Sequence, residues 1–242
     1  MATASTWPDD IDKQATGTRD WHFIDVSVSA PFSIAGLCAN HDCVIDRIAD
    51  MQHRLQTNQT GFALAAAPSP MRPKTSQELA FLIHLIGDLH QPLHAAVNGD
   101  RGGNCVNLTQ QLDHPDGSRP TTELHAVWDV DEVLAVFKVL GNETTTATTL
   151  FQRSKTGTPV PQLTTADWAR ESNDMAKADT YSKLHIPKHT APAGKCDVNI
   201  AKVTIDSPYL AGNVTDVEQR LMRAGVRLAN VLNQICAGNG CH

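Results

Sequence analysis

Residues 81–94, FLIHLIGDLHQPLH, set four imidazole or carboxylate groups into an otherwise apolar run. His84 and Asp88 are four residues apart, so on a helix they share a face and can reach one ion. His90 and His94 repeat that spacing, with Pro92 between them expected to kink the helix. Phe81, Leu82, Ile83, Leu85, Ile86 and Leu89 surround these groups. Polar groups on a buried helix need partners or a metal. A lone histidine in such a place reads as a core side chain bonded to a carbonyl, whereas this cluster reads as a metal site. Residues 124–129, LHAVWD, carry the same His-x-x-x-Asp spacing at His125 and Asp129. Alone, that pair reads as a surface ion pair; beside the first run it reads as a second half-site. Asp9 follows Trp7 and Pro8, and His22 lies in WHFID. Imidazole and carboxylate donors without thiolate suit zinc in a hydrolytic multi-metal site. His41, His53, His114, His185, His189 and His242 fall in polar contexts or at the terminus and read as solvated.

Helices must position these groups. Residues 42–56 show an apolar stripe at Val44, Ile45, Ile48, Met51 and Leu55 behind an Asp cap. Thr75 and Glu78 form a capping-box pattern ahead of residues 79–96. A helix over 123–140 follows, which Gly141 can end. Thr164 and Asp167 open another through about Tyr181, and Thr215 and Glu218 open the last, with Val217, Leu221, Ala224, Leu228, Val231, Leu232 and Ile235 on one face. No hairpin signal links two alternating strands, and residues 182–213 carry no assignment. The expectation is an all-α fold, a single multi-helix domain over residues 1–242 with long loops.

The chain has 242 residues, 41% of them hydrophobic, enough for one core. Its net charge of −6 excludes a broad basic surface, so a polyanionic substrate would need metal ions to neutralise phosphate. The six cysteines are Cys38, Cys43, Cys105, Cys196, Cys236 and Cys241, with no C-x-x-C pair. Cys38 with Cys43, and Cys236 with Cys241, are spaced to close short disulfide loops, which implies an oxidising compartment. Sequons at Asn58, Asn107, Asn142 and Asn213 fit secretion. No apolar run of about 18 residues is present, so no membrane span is expected. No signal peptide is expected in these residues, the first of which read as the interior of a longer protein.

The elements HFID, HxxxDxHQPLH, GGN and LHxxWD, in this order and spacing, resemble the S1/P1 nuclease family of secreted, zinc-dependent, single-strand-specific nucleases. AGVRLANVLN at 224–233 resembles that family's last helix. The resemblance runs from Thr6 to the end and is weaker between about residues 141 and 212. It implies a phospholipase C/P1 nuclease-like fold and three zinc ions. Asp9, His22, His84 and Asp88 would hold the first; His94, His125 and Asp129 the second. The third would share Asp88 and take an amino-terminal Trp and a nearby His that have no counterpart here. The chain is therefore expected to be an N-terminally truncated member with two complete zinc sites. Asp9 would also orient the attacking water, and Phe23 and Asp25 match positions that stack on and hydrogen-bond a base. Cys38 and Cys43 match a disulfide loop of the family. Where many relatives carry an Arg three residues after the metal Asp, this chain has Asp12, with Lys13 the nearest cation.

The implied activity is endonucleolytic hydrolysis of single-stranded DNA and RNA to 5′-phosphate products, with 3′-nucleotidase activity on nucleotides, by a secreted or periplasmic monomer. A zinc-dependent phospholipase C shares the fold and metal cluster, but HFID and GGN favour the nuclease. A non-catalytic zinc-binding protein is the other alternative, and the in-register donor set argues against it.

Overall fold

The computed structural model describes residues 2–12, 17–57, 74–114, 116–192 and 194–239. Helix α1 (Ala2–Asp12) carries Ser5 and Asp9, buries Ile11, and packs Trp7 edge-on against Phe81. A 3₁₀ turn at Arg19–His22 delivers His22. Helix α2 (Val44–Gln56) buries the expected stripe, but its N-cap is Cys43. Asp42 instead receives the indole N–H of Trp21 and, at 3.0 Å, the guanidinium of Arg47.

Helix α3 (Lys74–His90) is the central element, with Phe81, Leu82, Leu85, Ile86 and Leu89 all buried. It touches α1 and α2. The helix expected to reach residue 96 stops at His90. Gln91 must be extended because proline follows, and Pro92–Ala95 form a separate 3₁₀ turn. Pro92 thus ends the helix instead of kinking it, and His94 rides on the turn.

Strands β1 (Asn107–Leu112) and β2 (Thr121–Glu123) pair antiparallel, a small sheet in a molecule that is otherwise all-α. The sheet was not anticipated, because NLTQQL is mostly exposed and lacks the alternation of a half-buried strand. The helical run over 124–140 is continuous as expected, but in three parts: α4 (Leu124–Ala126), a π turn at Val127–Asp131, and α5 (Glu132–Leu140).

Helix α6 (Glu143–Thr156) has a Thr-rich sequence of weak helical propensity. The Asn142 carboxamide caps its start, and packing on α5 holds it. Helix α7 (Thr165–Met175) starts with the capping box of Thr164 and Asp167, then widens into a π turn at Ala176–Ser182. Helix α8 (Ser207–Asn239) is 33 residues long and begins before Thr215. It packs on α3 and α5.

Two apolar clusters result. One gathers Trp21, Ile48, Met51, Phe81, Leu85, Leu89, Trp168 and Val231; the other gathers Leu93, Val106, Leu124, Val127, Trp128, Val136 and Tyr181. The turn after α3 gives Ala95 to the first and Leu93 to the second, so it sits at their junction. Arg227 is fully buried, held by Glu171 and by His90 Nε2 at 2.9 Å. Arg220 donates to His90 O at 2.9 Å and Ser172 to Leu89 O at 2.5 Å, so the last carbonyls of α3 are satisfied. Burial would raise the Glu171 carboxyl, but Arg227, Arg220 and Arg223 outweigh it and hold it down at about 2.

Cys38–Cys43 forms the short disulfide, and Cys105 pairs with Cys196 across 91 residues. The suggested Cys236–Cys241 loop involves Cys241, which lies outside the described residues, as does Asn58. Asn107 and Asn142 are exposed, whereas Asn213 is buried between Glu132 and Lys183. Among the described residues no helix is long and apolar enough to cross a membrane.

Candidate metal centre

Segment 22–28 runs beside residues 94–97, with Ile24 N to His94 O at 2.8 Å and Val97 N to Val26 O at 2.9 Å. Asn173, buried on α7, donates to both Val26 O and Ala95 O and locks the two segments together. This pairing brings His22, Phe23 and Asp25 alongside His94. Helix α1 lies against α3 and brings Asp9 to His84.

Two donor clusters form. Asp9, His22 and His84 make one, and His94, His125 and Asp129 the other, with the donor atoms of each within 4.8 Å of one another. In the first, His84 Nε2 is 3.0 Å from His22 Nδ1 and 3.3 Å from Asp9 Oδ1. In the second, Asp129 Oδ1 is 3.6 Å from His94 Nε2, and its Oδ2 is 3.5 Å from His125 Nε2. Asp88 stands between them. Its Oδ2 is 2.9 Å from His22 Nδ1, 3.1 Å from His84 Nε2 and 3.9 Å from His94 Nδ1. Cys38, Cys43 and Asp46 also lie close, but both sulfurs are consumed in the disulfide.

Backbone carbonyls orient three of the four rings. Nδ1 of His84 contacts Ser5 O at 2.6 Å, Nδ1 of His94 contacts His22 O at 2.8 Å, and Nδ1 of His125 contacts Gly102 O at 2.7 Å. A carbonyl accepts only, so each Nδ1 carries the proton and each Nε2 turns a lone pair towards its cluster. His22 is reversed: Nδ1 faces the cluster, and Nε2 is buried without a hydrogen-bond partner among the described residues. Partners of this kind orient metal-ligating imidazoles.

Lone pairs and carboxylates packed this way attract positive charge. Burial would lower the pKa of His84, but Asp88 and Asp9 outweigh it and raise the ring to about 10. Burial is likewise overcome at His94, where Asp88 and Asp129 raise it to about 9. Asp88 is held far below the usual carboxylate range, because His94, His22 and His84 outweigh its burial. Burial lowers His125 although Asp129 opposes it. A divalent cation competes with protons for such a set, so the residues present fit zinc.

Asp9 and His22 of the first cluster and all three residues of the second line one cleft of about 710 Å³ with Phe23, Asp25, Asn104, Arg19 and Arg101. Burial raises the pKa of Asp25, aided by Asp100 and Asp20 and opposed by Arg101. The π turn places Asp129 on the second cluster, and Gln91 donates to Asp129 Oδ1 at 2.7 Å. Gly102 and Gly103 both have positive φ, and a side chain on Gly102 would meet Leu93 O at 2.6 Å.

All nine residues singled out from the sequence belong to this region. The structure brings Asp9, His22, His84, Asp88, His94, His125 and Asp129 together, and Phe23 and Asp25 border the same cleft. His90 turns away: its Nδ1 contacts Ile86 O at 2.7 Å, and burial and Arg220 depress it to about 3. Two histidines read as solvated are not. His114 is a buried partner of Asp131 at 3.3 Å, and His189 a buried partner of Asp197 at 3.4 Å. His242 and Lys13, like the side chain of Asp12, lie outside the described residues. Gln91, Arg19 and Arg101 carried no signal in the sequence beyond adjacency to the motifs.

Helices that set two His/Asp clusters on either side of Asp88 define the class: an all-α protein with candidate metal-binding donor groups. A family model described as S1/P1 Nuclease matches residues 1–237, and the chain belongs to the S1/P1 nuclease family, hydrolases that cleave phosphodiester bonds. It is 34% identical over 258 residues to Nuclease S1 of Aspergillus oryzae (strain ATCC 42149 / RIB 40), covering 98% of this chain and 79% of that protein. Endonuclease 3 of Arabidopsis thaliana is 26% identical, covering 97% of this chain and 76% of its own. Nuclease P1 of Penicillium citrinum is 24% identical, with 97% and 84% covered.

Proposed function

We propose that this chain is a zinc-dependent, single-strand-specific endonuclease that yields 5′-phosphate products from DNA and RNA and also acts on 3′-nucleotides. The observation that carries the reading is Asp88. One carboxylate oxygen lies within 3.1 Å of two imidazole nitrogens of the first cluster and 3.9 Å from one of the second. Asp9, His22, His84 and Asp88 would hold one zinc, and His94, His125 and Asp129 another.

When bound, such ions supply Lewis acidity to phosphate oxygens and lower the pKa of water. The residues of the chain do the rest. The exposed Asp9 carboxylate orients a water for attack on phosphorus. The bond to the 3′ oxygen breaks, leaving the phosphate on the 5′ side. Phe23 stacks on an unpaired base and Asp25 accepts a hydrogen bond from its edge. A base inside a duplex cannot enter this arrangement, which supports single-strand preference. The disulfides Cys38–Cys43 and Cys105–Cys196 support a secreted or periplasmic location.

The test is metal removal. Chelation should abolish cleavage of single-stranded DNA, added zinc should restore it, and elemental analysis should count two zinc ions per chain. Asp88→Asn should lower both the zinc content and the activity. Full activity in the stripped protein, or unchanged zinc in Asp88→Asn, would overturn the reading.

A further inference from the structure

The mechanism above leaves Arg101 unused, yet the fold goes to some length to present it. Its φ is 56°, in the left-handed region that side chains disfavour. Three features hold it there. Asp100 is fully buried and accepts from the Tyr181 hydroxyl at 2.8 Å and from Asn98 N at 3.0 Å. Cys105 N donates to Asp100 O at 3.0 Å, and the Cys105–Cys196 disulfide anchors the far side of the loop. Gly102 and Gly103 leave no room for a side chain beside it: a Cβ on Gly102 would lie 2.6 Å from Leu93 O, and one on Gly103 3.2 Å from His125 N. A disfavoured conformation this firmly determined belongs with function, and the inference runs from the outlier to the role.

The side chain so presented lines the cleft of the metal centre, as does Arg19. Among the described residues neither guanidinium has an ion-pair or hydrogen-bond partner. The same cleft is lined by Asp9, Asp20, Asp25, Asp88 and Asp129, and the whole chain carries a net charge of −6. Arg101 acts on Asp25 only through space, and two cations with no ion pair among five carboxylates suit an anion that arrives from outside. On the nuclease reading, on which this inference rests, that anion is the substrate backbone. A guanidinium binds phosphate in a planar, two-pronged manner.

We propose that Arg101, together with Arg19, holds phosphates of a single strand that flank the one being cleaved. Arg101 is then a specificity-determining residue. It favours strands over substrates whose sole phosphate is the scissile one.

The experiment uses the zinc-loaded protein and compares a longer single strand with a dinucleoside monophosphate across a salt series. Each lost phosphate contact makes the slope of log affinity against log salt shallower by about 0.7 for a single strand. Arg101→Gln should show that change and a raised KM for the strand, with a much smaller rise for the dinucleoside monophosphate. Arg101→Lys should keep the slope. Arg101→Gly removes the charge and relieves the left-handed strain, so it folds and must behave like Arg101→Gln. The double variant Arg19→Gln/Arg101→Gln should lose about twice the slope of one. An unchanged slope in Arg101→Gln and Arg101→Gly overturns the proposal while leaving the nuclease reading intact. An equal rise in KM for both substrates also overturns it, because Arg101 would then serve the scissile phosphate or Asp25. A wild-type protein that is zinc-loaded yet cleaves neither substrate removes the nuclease reading and this proposal with it.

Discussion

Gly102→Ala should damage the second donor cluster without touching a donor. Gly102 has a φ of 59°, and a Cβ there would lie 2.6 Å from Leu93 O and 3.2 Å from Ala96 O. Both obstacles are backbone, so the loop itself must move. An L-residue in the left-handed region costs roughly 1–2 kcal/mol before any clash. The displaced group is the Gly102 carbonyl, which holds His125 Nδ1 at 2.7 Å. Losing that hydrogen bond adds about 1 kcal/mol, giving a stability loss of roughly 2–3 kcal/mol in the metal-free protein. Loss of a partner that orients a ligating imidazole costs about 10–100-fold in metal affinity. Gly117→Ala is the control, since its φ is 74° and nothing lies within 4 Å of a Cβ there. It carries the left-handed penalty alone. Urea unfolding of the metal-free variants and zinc titration against a competing chelator separate the two effects. If Gly102→Ala is no less stable than Gly117→Ala and binds zinc as tightly as wild type, the carbonyl does not orient His125.

Two further perturbations test other parts of the molecule. Burial raises the Glu132 carboxyl from 4.5 to about 8, although its hydrogen bond from Asn213 and the Lys183 charge oppose this. Its contribution to stability is therefore complete below pH 4.5 and lost as pH rises through about 8, at up to ~1.4 kcal/mol per pH unit. Glu132→Gln keeps the acceptor for Asn213 and cannot ionise, so its advantage over wild type in urea unfolding should grow between pH 5 and pH 8; parallel profiles would show that Glu132 titrates normally. Phe23→Ala should weaken binding of single-stranded DNA by about 1–3 kcal/mol, as expected for one lost base stack. A lowered thermal stability with unchanged KM would instead make Phe23 a packing residue.

The His-x-x-x-Asp pairs were legible because a helix puts such residues on one face whatever surrounds it. The stripes of α2 and the capping box of α7 were legible for the same local reason. The end of α3 was half legible: Pro92 announced a disturbance, but whether a helix bends or stops depends on what receives its last carbonyls. Here Arg220 and Ser172 receive them, and both lie far along the chain. Helix α6 was hidden by its threonines, and the small sheet by strands too exposed to alternate.

The sequence by itself determined the donor types, their pairwise spacing on helices, and the absence of thiolate from the set. It also contained the short Cys38–Cys43 loop, closed between residues already near one another. Everything that depends on distant segments meeting was decided by the tertiary structure. The carbonyls that set the imidazole tautomers come from Ser5, His22 and Gly102, which lie 79, 72 and 23 residues from their partners. The turn of His90 away from the site depends on Arg227, 137 residues on. The position of Asp88 between two clusters requires α1, segment 22–28 and the π turn at Val127–Asp131 all to pack around α3. A ligand set is a local property of spacing, but the field that makes it bind a cation arises only when those remote pieces close around it.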